Sequence, residues 1–152
     1  MADARAPLVV LLRALDRRIV DELIEHLHGA GYADITTAHH PVFYNLDLEG
    51  TRLTTLAARA GMTHQAMGEL VGKLVDLGYL DREPDPSDRR ARLVVLTPRG
   101  NKAIRAARAR VAAIDAAWSD RLREAGVAVD IRDALAATLA RTAEDGPDLN
   151  RA

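Results

Sequence analysis

The sequence predicts a mainly α fold that carries one small β-hairpin wing, and three observations predict it. The chain is alanine-rich and only 3% aromatic, so its cores must be built from Ala, Leu, Val and Ile, a composition that leans helical. Apolar stripes at three- and four-residue spacing occupy both ends of the chain. Between them stand two short β-rich runs, "YLDRE" at 79–83 and "RLVVLT" at 92–97, separated by the polar stretch "PDPSDRRA".

From Pro7 the residues Leu8, Leu12, Leu15, Ile19, Leu23 and Leu27 recur as one face of a long amphipathic helix, which "GAG" at 29–31 stops. Next comes "TTAHHPVFYNL" at 36–46, a second helix with Pro41 inside it and a turn distorted there. Thr54 can cap a short helix carrying Leu56, Ala57 and Ala60, and Gly61 lets the chain turn sharply. Thr63 can cap a further helix from about His64 to Leu77. On that helix Ala66, Met67, Leu70, Val71, Leu74 and Leu77 make the buried side, and His64, Gln65, Gly68, Glu69, Gly72, Lys73 and Asp76 the other. A glycine in a helix interior costs about 1 kcal/mol against alanine, so two on one face mark a surface that a partner approaches closely.

Beyond the hairpin, Thr97 and Pro98 supply a capping hydroxyl and a first-turn proline. Ile104, Ala107, Val111, Ile114, Trp118 and Leu122 then form a stripe that ends at Gly126. Asp130 can cap a last helix carrying Ile131, Leu135, Thr138 and Leu139, and "EDGPDLNRA" is a polar, frayed end. The terminal stripes need cover, and periodicity alone leaves open whether they pack within one chain or between two.

Net charge is only −1, yet Arg89, Arg90 and Arg92 fall within four positions of the hairpin's turn segment. A neutral chain with one arginine cluster directs its positive field to one place. Helix, turn, helix and arginine-tipped hairpin together describe a winged helix-turn-helix. The order "LAARAGMTHQAMGELVGKLVDLGYLDREPDPSDRRARLVVLTPRG" resembles the MarR family of bacterial transcriptional regulators, above all in Asp88-x-Arg90 followed by "LVVLT" and Gly100.

The resemblance implies a homodimer whose N- and C-terminal helices interlock, with residues 1–34 as an N-terminal dimerisation helix and 101–144 as C-terminal dimerisation helices. Residues 35–100 would form the DNA-binding region and 145–152 a polar tail. It implies double-stranded DNA as partner, with two recognition helices in successive major grooves of a pseudo-palindromic operator. In this chain that role falls to Thr63, His64, Gln65, Gly68 and Glu69, with Lys73 as a backbone contact. Glu69 repels phosphate but can accept from a cytosine amino group. In the wing the resemblance gives Asp88 the bracing of Arg90 in the minor groove, and leaves Arg89 and Arg92 to phosphates or the rim. It further implies a ligand-responsive repressor whose small-molecule cleft borders the second helix, where His39, His40 and Tyr44 stand. His39 lies on the face of Phe43 and His40 on that of Tyr44, so one histidine held in the core and the other in water is favoured over a shared grip on one ligand.

Other functions find no support. The chain has no cysteine, glycine-rich phosphate loop, nucleophile elbow or zinc-protease motif, so neither an enzyme nor a cofactor is expected. His26 and His28 face different ways on their helix, and no metal cluster is expected. "PLVVLL" is broken by Arg13 and Asp16, with no signal-peptide pattern and no membrane span, which predicts a cytoplasmic protein. The competing reading is a winged-helix protein-interaction module without DNA binding, favoured by the neutral charge and the acids on the recognition face.

Overall fold

The computed structural model describes residues 6–145 of the chain. Six helices and three strands follow in the order α1 (Leu8–Gly29), a 3-10 turn (Thr37–His39), α2 (His40–Asn45), β1 (Thr51–Arg52), α3 (Leu53–Arg59), α4 (His64–Asp76), β2 (Leu80–Asp85), β3 (Asp88–Leu96), α5 (Pro98–Glu124) and α6 (Ile131–Asp145). The chain divides into two compact units, Met1–Val111 and Ala112–Ala152.

The first unit holds the core. Ile24, Leu27, Ile35, Val42, Leu56, Met67, Val71, Leu74, Tyr79, Leu80, Val94 and Ala103 bury against one another, with α1 and α4 the largest contributors. Only the C-terminal half of α1 takes part, through Val20, Ile24 and Leu27, the first two one position along from the expected Ile19 and Leu23. Leu8, Val9, Val10, Leu11 and Leu12 stay 36–69% exposed.

Pro41 breaks no helix. It stands in the first turn of α2, where its missing N–H costs nothing, and a 3-10 turn precedes it in place of a continuous helix from 36. Thr54 is not a cap either. Residues 51–52 pair with β3 as an additional strand, so α3 starts two residues earlier than expected and Arg52 occupies the capping position, its side chain making no capping bond. Thr63 does cap α4, its hydroxyl accepting from the Ala66 amide at 3.2 Å. The turn between the helices uses Gly61 at φ +61°, a left-handed conformation that glycine adopts without strain.

The antiparallel sheet has the order β1-β3-β2. Its strands are longer than the sequence suggests, so Asp88, Arg89 and Arg90 belong to β3 and not to a loop, and Arg92 lies within the strand where it was expected. A bulge explains why: Pro84 pairs with Arg92 and Asp85 with Asp88, leaving Arg89, Arg90 and Ala91 opposite no residue of β2. At the hairpin's base the Thr97 hydroxyl donates to the Gly78 carbonyl at 2.6 Å and accepts from the Gly100 amide at 3.1 Å, joining the start of α5 to the end of α4.

The second unit comprises the C-terminal half of α5 and α6. Asp130 accepts from the Arg132 amide at 2.9 Å and so caps α6, and Arg132 pairs with Asp115 at 3.2 Å. Residues 146–152, most of the expected polar tail, lie outside the described residues. Among the described residues no helix is long and apolar enough to cross a membrane.

Candidate nucleic-acid interface

The N-terminal end of α4 and the wing flank one open cleft of about 470 Å³. Arg52, Leu53, Thr54, His64, Arg82, Ala91, Arg92 and Val94 line it. Strand alternation accounts for its charge. Arg82 stands opposite Val94, two residues from Arg92, so all three share one face of the hairpin. Asp81 and Glu83 fall on the opposite face. The pleat thus sorts the cations toward α4 and the acids away from it.

The remaining wing acids, Asp85 and Asp88, have partners within the fold. Asp85 is buried, and its carboxylate accepts three hydrogen bonds, from the Ser87 amide at 2.8 Å, the Ser87 hydroxyl at 2.6 Å and Arg52 Nε at 2.7 Å, and pairs with Arg52 Nη2 at 2.6 Å. The Ser87 and Arg52 bonds outweigh burial and hold its pKa down to about 2. Asp88 accepts from the Arg90 amide at 3.0 Å and lies 3.8 Å from Arg52 Nη2. Its hold on Arg90 is therefore through the backbone and not the guanidinium. The side chains of Arg82, Arg89, Arg90 and Arg92 are exposed and make no hydrogen bond or ion pair among the described residues.

Along α4, Thr63, His64, Gln65, Glu69 and Lys73 are exposed, and Gln65 Nε2 donates to Glu69 at 3.3 Å. Gly68 is half-buried. A Cβ there would meet Leu53 of α3 at 3.6 Å, whereas one at Gly72 would meet nothing within 4 Å. Gly68 thus serves the α3–α4 contact as well as the outer face, and Gly72 is the open glycine.

The second-helix histidines separate. His39 is buried, and its Nδ1 accepts from the Thr36 amide at 3.1 Å in a capping box. Burial and Lys73 lower its pKa, Asp34 opposing. His40 is half-exposed, stacks on Tyr44 at 5.6 Å and borders a separate cleft with Arg13, Asp16, Arg17, Asp21 and Thr37. Burial lowers its pKa too, with Asp16 opposing. Tyr44 is 78% exposed.

Sequence reasoning missed Arg52 and Arg82. Arg82 was legible as a cation on an alternating strand. Arg52 was not, because its partner Asp85 lies 33 residues away.

The family model described as the MarR family matches residues 33–91, the segment from the approach to α2 into the first residues of β3. No curated protein matches the chain in sequence. Among solved structures, the MarR family transcription regulator SP03579 is 25% identical, with 91% of each chain covered and a TM-score of 0.64. The transcriptional regulator Tm0710 from Thermotoga maritima is 26% identical over 90% of this chain and 96% of that one, with a TM-score of 0.61. CouR from Rhodococcus jostii RHA1, solved bound to p-coumaroyl-CoA, is similar in fold at 23% identity, 94% and 96% coverage and a TM-score of 0.70.

Proposed function

Because the winged helix-turn-helix of this chain is that of the MarR family, we propose that the protein is a sequence-specific, DNA-binding transcriptional regulator acting as a homodimer. The observation that carries this reading is the cleft between α4 and the wing. Arg82 and Arg92 line it and Arg89 and Arg90 lie beside them on the wing, all four exposed and without a hydrogen bond or ion pair among the described residues, while Asp85 and Asp88 accept from partners within the fold. Such an arrangement attracts a polyanion at one place on a chain of net charge −1. The exposed side chains of Thr63, His64, Gln65, Glu69 and Lys73 then meet the major groove, and Arg90 the minor groove.

The homodimer is supported by the uncovered apolar start of α1, Leu8 to Leu12, a patch that a monomer in water would not leave open. Two such subunits suit a pseudo-palindromic operator. A small-molecule response, with the protein as a repressor that its effector releases, is supported by the ligand-bound CouR structure and by the cleft at His40. His39 is occupied as a cap, so an effector would meet His40 and Tyr44.

A duplex enriched by the protein from a random pool, titrated by fluorescence anisotropy at several salt concentrations, tests the reading. Wild-type affinity falls steeply with salt. Arg90→Ala, which removes one cation from each of two wings, makes the slope of log affinity against log salt shallower by about 1.8. No enrichment, or an unchanged slope, would make the chain a winged-helix interaction module instead.

A further inference from the structure

Arg52 reaches out of the helix-turn-helix and takes hold of the wing's turn. It sits at the junction of β1 and α3, and its guanidinium spans the distance to the hairpin, with Nε and Nη2 both on Asp85 Oδ2 and Nη2 also 3.4 Å from the Ser87 hydroxyl. The other carboxylate oxygen of Asp85 is filled by Ser87. Both oxygens of a buried carboxylate are thus held, one by the turn itself and the other by a residue from another element. The next residues along β3 are Arg89 and Arg90, which the bulge leaves outside the ladder. Without a cross-strand partner their direction depends on what holds the turn.

We propose that Arg52 and Asp85 form a latch that fixes the wing turn against the helix-turn-helix and so positions Arg89 and Arg90 for DNA. The latch rests on the DNA-binding reading, in which Arg90 makes the contact and Arg52 and Asp85 are positioning residues. It makes a prediction opposite in sign to simple electrostatics. Asp85→Asn deletes two negative charges from a dimer facing phosphate, which by charge alone tightens binding. Loss of a positioning bond weakens it. Arg52→Lys separates the remaining alternative, that Arg52 itself touches phosphate, because an ammonium keeps the charge but cannot present the guanidinium's fork of two donors to Asp85 and a third bond to Ser87.

The experiment compares wild type, Asp85→Asn, Arg52→Lys, Arg90→Ala and the Asp85→Asn/Arg90→Ala pair on the enriched duplex. It also follows the wing without DNA. The chain has no cysteine, so Arg89→Cys accepts a single nitroxide whose spectrum reports local motion. Asp85→Asn and Arg52→Lys each weaken binding about tenfold, as an energy near 1.4 kcal/mol corresponds to. Arg90→Ala costs less on the Asp85→Asn background than on wild type, and the nitroxide spectrum narrows in both latch variants. Circular dichroism confirms that each remains folded. Asp85→Asn binding as tightly as wild type or tighter, or an unchanged nitroxide spectrum, overturns the latch. A wild-type protein that enriches no duplex overturns the DNA reading and, with it, the role of the latch, even where the nitroxide responds.

Discussion

At the Tyr79 hydroxyl three segments of the chain meet. Tyr79, fully buried at the start of the hairpin, donates a short hydrogen bond to Asp34 from the link between α1 and α2. Arg99 of α5 donates to both, at 2.8 Å to Asp34 and 3.0 Å to Tyr79, and lies 4.3 Å from the centre of the Tyr79 ring. Burial first, then Asp34, pushes the phenol up to about 12. A raised folded pKa means stability that is complete below the unfolded value of about 10 and is lost as pH rises toward the folded one. Tyrosinate absorbance of the native protein should therefore show Tyr79 ionising about two pH units above an ordinary phenol. Tyr79→Phe should flatten the fall of chemical-denaturation stability over that window and cost about 1–3 kcal/mol at neutral pH by leaving Asp34 and Arg99 without the hydroxyl. Asp34 acts at the other end of the scale. Burial raises its pKa, but the Tyr79, backbone and Arg99 bonds prevail and lower it, so its contribution is present above the ordinary carboxylate range and fades as pH falls. None of this was legible in the sequence, since the partners of Tyr79 lie 45 and 20 residues away.

Elements were more legible than contacts, because helices write their period and caps locally. The span of α4, the Thr63 cap, the stop near Gly29 and the Asp130 start of α6 all follow from residues a few positions apart. The two-residue β1 was not legible, having no period to show, and the hairpin was read short because bulge and turn share one polar stretch. Glycine has opposite meanings in two of these elements. Gly72 lies within α4 with open space where a Cβ would go, so Gly72→Ala should stabilise the fold by about 1 kcal/mol, read as a higher midpoint of thermal unfolding. At Gly100 a Cβ would collide with the Tyr79 carbonyl, where the first turn of α5 meets the residue preceding β2. Gly100→Ala should lower the same midpoint, by an amount matching about 1–3 kcal/mol of forced displacement. A Gly72→Ala protein that melts lower, or a Gly100→Ala protein that melts unchanged, would contradict these packing assignments.

At the scale of the whole molecule the sequence showed a mainly α chain with a wing, and a charge cluster on a neutral background. It could not show which part of the α1 stripe enters the core, since periodicity is the same in Val20–Leu27, which is buried, and in Leu8–Leu12, which is not. That uncovered segment supports association. Light scattering at micromolar concentration should return about twice the 16.5 kDa chain mass, and a charged residue at Leu12 should shift the mass toward one chain. A single-chain mass for the wild type at every concentration would leave Leu8–Leu12 without a partner. The sheet has a consequence of another kind. With the order β1-β3-β2, the outer side of β2 pairs with no strand among the described residues and leaves a bare edge. The edge reads Leu80, Asp81, Arg82, Glu83, Pro84, Asp85. Four charges, one proline that offers no amide and a bulge opposite it make this a poor template for another sheet. The strand that leads into the wing is thereby guarded against edge-to-edge growth between copies of the chain.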